Sequence, residues 1–142
     1  MATRRPTEGE MSDADDYVSG VMSSPVVHVT TQATVAQALR SMIDHDIGAV
    51  VVLDGDAPAG VFTERDVTRR ILDDPGLLER PIGEVMSSPV VTVGPGDEVV
   101  FIFKTMSDRN IRRLPVVDEG KLVGIVTERD LLRWVDAVAT ST

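Results

Sequence analysis

The chain has 142 residues, a mass of 15.3 kDa and a formal net charge of -9. Its length fits one ordinary domain or two small coupled ones, and because it has no cysteine it forms no disulfide. The acidic excess argues against a nucleic-acid or anionic-membrane binder, since both need a basic surface. No apolar run reaches the ~20 residues of a membrane-spanning helix and no signal-peptide pattern opens the chain, so we expect a cytoplasmic protein.

The sequence predicts no packed structure at either end of the chain. Residues 1–12 are polar, contain Pro and Gly and show no apolar period, which predicts a disordered tail. Residues 13–22 place apolar side chains on one side and predict a short helix that leads into the first structural unit. Residues 139–142 form a second short tail.

The body of the chain is a tandem duplication. Shifting the sequence by 64 positions aligns residues 21–70 with 85–134 without a gap, and 20 of these 50 positions are identical. We therefore predict one repeat over residues 13–75 and a second over residues 76–138. A half of ~60 residues buries too little surface to be stable alone, so we expect the two repeats to share a core.

Within each repeat the hydrophobic period changes in the same order. A β-branched run predicts a strand, apolar residues at i, i+3, i+4 and i+7 predict a helix, two apolar runs around an acidic turn predict a hairpin, and an amphipathic stretch predicts a last helix. In the first repeat we predict strands at 26–29, 49–53 and 60–62 and helices from Val35 and from Val67. In the second repeat we predict strands at 90–93, 113–117 and 122–126 and helices from Val99 and from Leu131. The predicted fold class is α/β (α+β), with a βαββα order in each repeat.

Three segments, each with a counterpart at the same place in the other copy, carry a family resemblance. They are the Met-Ser-Ser-Pro segment, the Ile-Arg-Arg-Leu-Pro-Val-Val-Asp strand at 111–118 and the Gly-Ile-Val-Thr-x-x-Asp segment from Gly124. Together, over residues 14–138, they resemble a tandem pair of CBS (cystathionine β-synthase) domains, also called a Bateman module. The resemblance implies two repeats related by a pseudo-two-fold axis, with small mixed sheets meeting at a central cleft and helices outside. It also implies a bound adenosine-containing ligand (AMP, ADP, ATP or S-adenosylmethionine), no required cofactor, and a homodimer joined through amphipathic helices.

The Thr-x-x-Asp segments are the candidate ligand-binding residues. Thr63 and Thr127 each end a predicted strand and open a helix, and Asp66 and Asp130 lie in the first helical turn. A fixed carboxylate accepts hydrogen bonds from both hydroxyls of a ribose, and a threonine hydroxyl with free amides at a helix N-terminus suits a phosphate oxygen. The alternative is structural, because the same spacing is close to a capping box that satisfies backbone amides without any ligand.

The resemblance further implies two crossed sites, in which the Thr-x-x-Asp segment of one repeat faces the early strands of the other. The first site would combine Thr63 and Asp66 with Val91, Ile111, Arg112 and Arg113. The second would combine Thr127 and Asp130 with Val27, Ile47 and Gly48. Only the first has guanidinium groups that bind phosphate bidentately, so we expect one phosphate-preferring site and one weaker site. Alternatively, the two arginines neutralise acidic neighbours on the surface.

These features predict a regulatory sensor that binds an adenine nucleotide and acts on an unidentified partner protein. The alternative is a ligand-free dimerisation or scaffold module whose Thr-x-x-Asp segments are only helix caps. We do not expect an enzyme, since no nucleophile–base pair is visible and two histidines cannot build a metal site. We place the dimer surface at Val67, Ile71, Leu131 and Val135, and we interpret the repeated methionines Met22, Met42, Met86 and Met106 as core residues.

Overall fold

The structure is a computed structural model that describes residues 16–140. Of the helix predicted at 13–22, residues 18–21 are helical (α1, Val18–Val21), while residues 13–15 and the tail at 1–12 lie outside the described residues. The second predicted tail is shorter than expected, because the last helix continues to Thr140.

The remaining elements follow the predicted order closely. The first repeat contains β1 (His28–Thr30), α2 (Val35–His45), β2 (Ala49–Asp54), β3 (Ala57–Thr63) and α3 (Glu64–Arg70), and the second contains α4 (Val99–Arg109), β4 (Arg113–Asp118), β5 (Lys121–Thr127) and α5 (Glu128–Thr140). Two short 3-10 turns, Leu77–Glu79 and Ile82–Glu84, lie in the connection between them. The predicted mixed α and β class is confirmed.

The first repeat forms a three-stranded sheet in the order β1-β2-β3. β1 runs parallel to β2, with His28 opposite Val51, and β2 pairs antiparallel with β3, with Val50 opposite Phe62. The tight turn of this hairpin uses Gly55 at φ 67, in the left-handed region that glycine adopts without a steric penalty. β3 therefore returns along β2 and delivers Thr63 to the start of α3.

The second repeat departs from the prediction at its first strand. No strand forms over residues 90–93, all of which the structure describes, and β4 and β5 make a two-stranded sheet. Val93 keeps a single parallel bridge to Val116. Pro115 provides the physical reason, since it has no amide to donate, whereas its counterpart Val51 donates to the carbonyl of Val27 at 3.5 Å.

Local sequence explains where the two long central helices begin and end. Thr34 caps α2, because its hydroxyl accepts from the Gln37 amide at 3.1 Å while the Gln37 side chain accepts from the Thr34 amide at 2.9 Å. Both helices end at a residue in the left-handed conformation, Asp46 at φ 52 and Asn110 at φ 53. Short polar side chains of this kind tolerate that conformation.

The compact units of the structure do not coincide with the sequence repeats. One unit comprises residues 26–91 and 120–122, and the other comprises the rest of the described chain. The Met-Ser-Ser-Pro segment of each repeat therefore belongs to the unit built around the other repeat. Ser87 exchanges two backbone hydrogen bonds with Val61, at 3.0 and 3.1 Å, and Ser23 does the same with Ile125, at 2.9 and 3.0 Å.

Each unit has its own set of buried apolar side chains. In the unit around the first repeat, the core packs α2 against the sheet and the connecting 3-10 turns; its members are Val35, Ala38, Met42, Val50, Val52, Phe62, Leu77, Ile82 and Val85. In the other unit the buried residues include Val18, Val99, Ile102, Met106, Leu114, Val116, Val126 and Leu131. The core role predicted for Met42 and Met106 is confirmed, since they are only 3% and 9% exposed.

Candidate functional site

The first Thr-x-x-Asp segment lies at the junction of β3 and α3. Thr63 ends the strand and is the N-cap of the helix, with extended backbone angles. Its hydroxyl accepts from the Asp66 amide at 3.2 Å, and Oδ2 of Asp66 accepts from the Thr63 amide at 2.8 Å and from the Thr63 hydroxyl at 3.1 Å. The segment is therefore a complete capping box, which confirms the structural interpretation of this motif.

The second segment repeats this geometry at the junction of β5 and α5. Oδ2 of Asp130 accepts from the Thr127 amide at 2.9 Å and from the Thr127 hydroxyl at 3.1 Å, and the Asp130 amide donates back to that hydroxyl at 3.3 Å. In both segments the threonine hydroxyl and the amide of the aspartate are engaged by the cap. What each segment still offers a ligand is its remaining carboxylate oxygen, Oδ1.

The two Oδ1 atoms have different surroundings. Oδ1 of Asp130 accepts from the Ser23 hydroxyl at 3.3 Å and lies 3.7 Å from Nη1 of Arg133, and the residue is only 7% exposed. Asp66 is more exposed, and within residues 16–140 no donor lies within hydrogen-bonding distance of its Oδ1. Of these two aspartates, Asp66 is the one that presents a rigidly held carboxylate with an acceptor oxygen that no donor from residues 16–140 uses.

Each segment has a neighbour within its own repeat, just before the strand β2 or β4. The carbonyl of Gly48 accepts from the Glu64 amide at 2.9 Å, and the carbonyl of Arg112 accepts from the Glu128 amide at 3.0 Å. Nε of Arg112 also lies 3.9 Å from Oε2 of Glu128, with both side chains largely exposed. This neutralising contact is the one that the alternative interpretation of the arginines predicts.

The sequence-based grouping assigned Arg112 and Arg113 to the site of Thr63 and Asp66. The structure brings Arg112 beside the Thr127 segment of its own repeat, a grouping that the prediction did not include. The crossed pairing joins residues of both compact units and stays a prediction. Arg113 begins β4 and is partly buried.

The apolar candidate residues are all partly buried. Val27 and Ile47 pack against the core of the unit around the first repeat, and Val91 is partly exposed. Ile111 donates its amide to the carbonyl of Met106 at 3.1 Å. It also lines a cleft of about 450 Å³ between α4 and α5, whose other lining residues include Phe103, Met106, Arg112, Glu128 and Leu132.

Two contacts of functional interest escaped the sequence analysis. Met22 and Met86 are both partly exposed, and each thioether lies across a glycine of the neighbouring strand. Met86 packs against the core of the unit around the first repeat, as predicted, whereas the glycine contacts were not predicted. A Cβ placed on Gly124 would lie 2.6 Å from Sδ of Met22, and one on Gly60 would lie 2.5 Å from Sδ of Met86. The signal was present, because these methionines and glycines recur in register in both repeats.

The second missed contact is that of Ser23 with Asp130. It has no sequence signal, since the repeat-equivalent pair Ser87 and Asp66 is identical in residue type and makes no such bond in the described part of the chain.

The predicted dimer surface needs one correction. Leu131 is 3% exposed and belongs to the buried set of its own unit, so it cannot contribute to an external surface. Val67 is partly buried against the core of the first unit, while Ile71 and Val135 are exposed. Trp134 contacts Phe103, with ring centroids 5.8 Å apart, in keeping with a packing role.

Two classes of site are not seen in the part of the chain that the structure describes. No group of three or more His, Cys, Asp or Glu side chains is arranged to hold a metal ion. Likewise, none of the helices within residues 16–140 combines the length and apolar character needed to cross a bilayer.

The structure contains two small α and β repeats, each with a capped Thr-x-x-Asp junction between its last strand and its last helix, and the chain is therefore a tandem-repeat protein of paired α and β domains. The CBS domain profile matches residues 18–73 and 82–137. The chain belongs to the CBS-domain family, and the resemblance noted from its sequence is confirmed.

Similar proteins come from archaea and bacteria. The chain is 38% identical over 119 residues to the uncharacterized protein MK0525 of Methanopyrus kandleri, a match that covers 82% of this chain and 61% of that protein. It is 33% identical over 114 residues to the CBS domain-containing protein YhcV of Bacillus subtilis, covering 80% and 81%. The chain thus spans less than two thirds of the archaeal relative.

Among solved structures, the CBS domain pair of protein MJ0100 is similar, with a TM-score of 0.77 and 26% identity over 86% of this chain and 97% of that one. That protein was solved in complex with 5'-methylthioadenosine and S-adenosyl-L-methionine.

Proposed function

We propose that this chain is a regulatory module that binds an adenosine-containing ligand, leaves it chemically unchanged and passes its occupancy to a partner protein. Membership of the CBS-domain family and the two adenosine ligands of the MJ0100 domain pair support this proposal. AMP, ADP, ATP, S-adenosylmethionine and 5'-methylthioadenosine all carry the same ribose with two vicinal hydroxyls. The proposed recognition therefore centres on the ribose.

The observation that carries the proposal is the state of the Asp66 carboxylate. Its Oδ2 is fixed by two hydrogen bonds from Thr63, while its Oδ1 meets no donor from residues 16–140. A carboxylate held in this way is oriented before the ligand arrives, so little conformational freedom is lost on binding. Two ribose hydroxyls donating to one carboxylate is the arrangement that dinucleotide-binding folds use.

Signalling to a partner requires a difference in affinity between two conformations of the module. A ligand shifts such an equilibrium only by that difference, and a tenfold preference corresponds to about 1.4 kcal/mol. The partner protein and a cytoplasmic location stay predictions.

Binding is tested with AMP and 2'-deoxy-AMP, by thermal melting and by isothermal titration calorimetry. Because a ligand that binds the native state raises its melting midpoint, we expect AMP to raise it. 2'-Deoxy-AMP should bind about tenfold more weakly, since it lacks one hydroxyl donor to Asp66. The variant Asp66→Asn should lose this discrimination, and Asp44→Asn, which changes an exposed carboxylate on α2, should keep it. No shift with any adenosine ligand at millimolar concentration would contradict the proposal.

A ligand-free dimerisation module is the second candidate function. Two observations favour it: both capping boxes are complete without a ligand, and α4 and α5 expose large apolar side chains. These are Val100, Phe101, Leu132 and Val135, which are 66%, 52%, 65% and 44% exposed. Self-association through these helices would cover them, so we propose a homodimer for either function.

Sedimentation analysis tests the dimer directly. We expect the wild-type chain to sediment at twice its mass of 15.3 kDa, and Phe101→Asp to shift it towards the monomer because a buried charge opposes association. Glu98→Asp, a change at an exposed charged position beside the same helix, is the control. A wild-type monomer at micromolar concentration would contradict the dimer.

A further inference from the structure

We propose that Ser23 masks the Asp130 carboxylate, so that the two duplicated sites are unequal and the Asp66 site alone binds the ribose of a ligand in the wild-type chain. This inference rests on the proposed function and adds which of the two carboxylates is used, how many ligands are bound and which residue decides it. The two Thr-x-x-Asp motifs are identical in sequence, but their aspartates have different hydrogen-bond partners.

An aspartate carboxylate offers about four acceptor positions, two on each oxygen. In both motifs the threonine cap uses the two positions on Oδ2. The ribose must therefore bind at Oδ1, which makes the partners of that atom decisive. At Asp130, Oδ1 already accepts from the Ser23 hydroxyl at 3.3 Å and lies 3.7 Å from Nη1 of Arg133.

The corresponding position at Asp66 is open. The backbone of Ser87 is held to Val61 by two hydrogen bonds, as that of Ser23 is held to Ile125. Although the backbones are equivalent, the side-chain hydroxyl of Ser87 makes no hydrogen bond to Asp66 in the described structure. The two duplicated serines therefore differ in a single interaction, and that interaction occupies one of the two acceptor positions on Oδ1 that the two ribose hydroxyls need.

The burial of Asp130 also makes its carboxylate less accessible to a ligand than that of Asp66. Asp130 is 7% exposed, whereas Asp66 lies in the intermediate range of exposure. The next residue on each helix shows the same difference, since Leu131 is 3% exposed and its counterpart Val67 is only partly buried. The first turn of α5 is consequently more enclosed than that of α3.

The cost of this mask sets the size of the expected effect. The serine bond fills one of the two acceptor positions on Oδ1 of Asp130, so only one ribose hydroxyl can donate there freely. The second ribose hydroxyl must first displace the serine hydroxyl, which exchanges one hydrogen bond for another instead of adding one. At 3.3 Å the serine bond is long, so we expect the mask to weaken ribose binding about tenfold, which corresponds to about 1.4 kcal/mol.

The test uses calorimetric titration of the full chain with 5'-methylthioadenosine, an uncharged probe that removes the influence of nearby arginines. We expect one tight binding event per wild-type chain, with binding at Asp130 about tenfold weaker. Asp66→Asn should weaken that event at least tenfold, while Asp130→Asn should leave it unchanged. Ser23→Ala should reveal a second event, strengthened about tenfold, and Ser87→Ala, the matched control, should not.

Each result is informative. Loss of the wild-type event in Asp130→Asn with retention in Asp66→Asn would overturn the inference and leave the proposed function standing, as would an unchanged stoichiometry in Ser23→Ala. The double variant Ser23→Ala with Asp66→Asn should bind one molecule, which shows that the second event belongs to Asp130 even if a single variant is poorly folded. Absence of 5'-methylthioadenosine binding in every variant, together with no melting shift of the folded wild-type chain by AMP, ATP or S-adenosylmethionine, would refute the proposed function itself.

Discussion

Replacing Gly60 with alanine tests how the Met-Ser-Ser-Pro segment is seated on β3. The added Cβ would lie 2.5 Å from Sδ of Met86 and 2.7 Å from the carbonyl oxygen of Ser87, well inside ordinary contact distance. The thioether can move, but the Ser87 backbone is fixed by two hydrogen bonds with Val61 at 3.0 and 3.1 Å. Relief of the overlap therefore requires these bonds to weaken.

The expected loss of stability in Gly60→Ala combines two destabilising contributions and one stabilising contribution. Overpacking costs about 1–3 kcal/mol, and each weakened backbone hydrogen bond costs up to about 1 kcal/mol. The lower entropy of the unfolded chain returns about 0.4–1 kcal/mol. We therefore expect Gly60→Ala to lower the free energy of unfolding by about 2–3 kcal/mol, measured by urea denaturation followed by circular dichroism.

Two other glycines serve as internal comparisons. Gly124→Ala should cost less than Gly60→Ala, because its Cβ would lie 3.2 Å from the Ser23 carbonyl and its close contacts, at 2.6 and 3.0 Å, are with the flexible side chain of Met22. Gly96→Ala should be neutral or slightly stabilising, since nothing lies within 4 Å of its Cβ and its φ is not positive. A Gly60→Ala protein as stable as Gly96→Ala would refute the packing of this segment.

Three further predictions concern charge and burial. Arg113→Ala should weaken ATP binding more than adenosine binding in calorimetric titrations, and equal losses would leave its phosphate role unsupported. Leu131→Ala should lower the free energy of unfolding by about 2–5 kcal/mol, while Leu72→Ala should change it by less than about 0.5 kcal/mol, because Leu131 is 3% and Leu72 is 90% exposed. The Arg80 guanidinium, hydrogen-bonded to Asp74 at 2.6 Å, holds the pKa of that carboxyl below its usual range. Its stabilisation is present above the usual carboxyl pKa and is lost as pH falls through the lowered pKa. The melting difference between wild type and Asp74→Asn should therefore be larger at neutral pH than in acid, and an equal difference at both would contradict this.

The sequence predicted the repeat, the helices and the hairpins because each has a strong hydrophobic period. It predicted a strand at 90–93 that does not form, since β-branched composition outweighed the effect of Pro115 on the partner strand. It also gave no indication that each Met-Ser-Ser-Pro segment belongs to the unit of the other repeat, because a gapless alignment shows which positions are equivalent and not which ones touch.

The candidate site was predicted in composition and only partly in geometry. The spacing of Thr63 and Asp66 allowed both a helix cap and a ribose ligand, and the structure shows the cap together with a remaining open oxygen. The difference between Asp66 and Asp130 could not be predicted, because the four residues from Thr63 to Asp66 are identical to those from Thr127 to Asp130. It arises from the burial of Asp130 and from its hydrogen bond with Ser23, which are properties of the folded units.

The central claim is that the Asp66 carboxylate binds the ribose of an adenosine-containing ligand. Its most direct test is a crystal structure of the full chain grown or soaked with AMP at saturating concentration. We predict both ribose hydroxyls within about 2.5–3.0 Å of the Asp66 carboxylate, with its bonds to Thr63 retained. A nucleotide bound with its ribose away from Asp66, or crystals that take up no AMP, would contradict the claim.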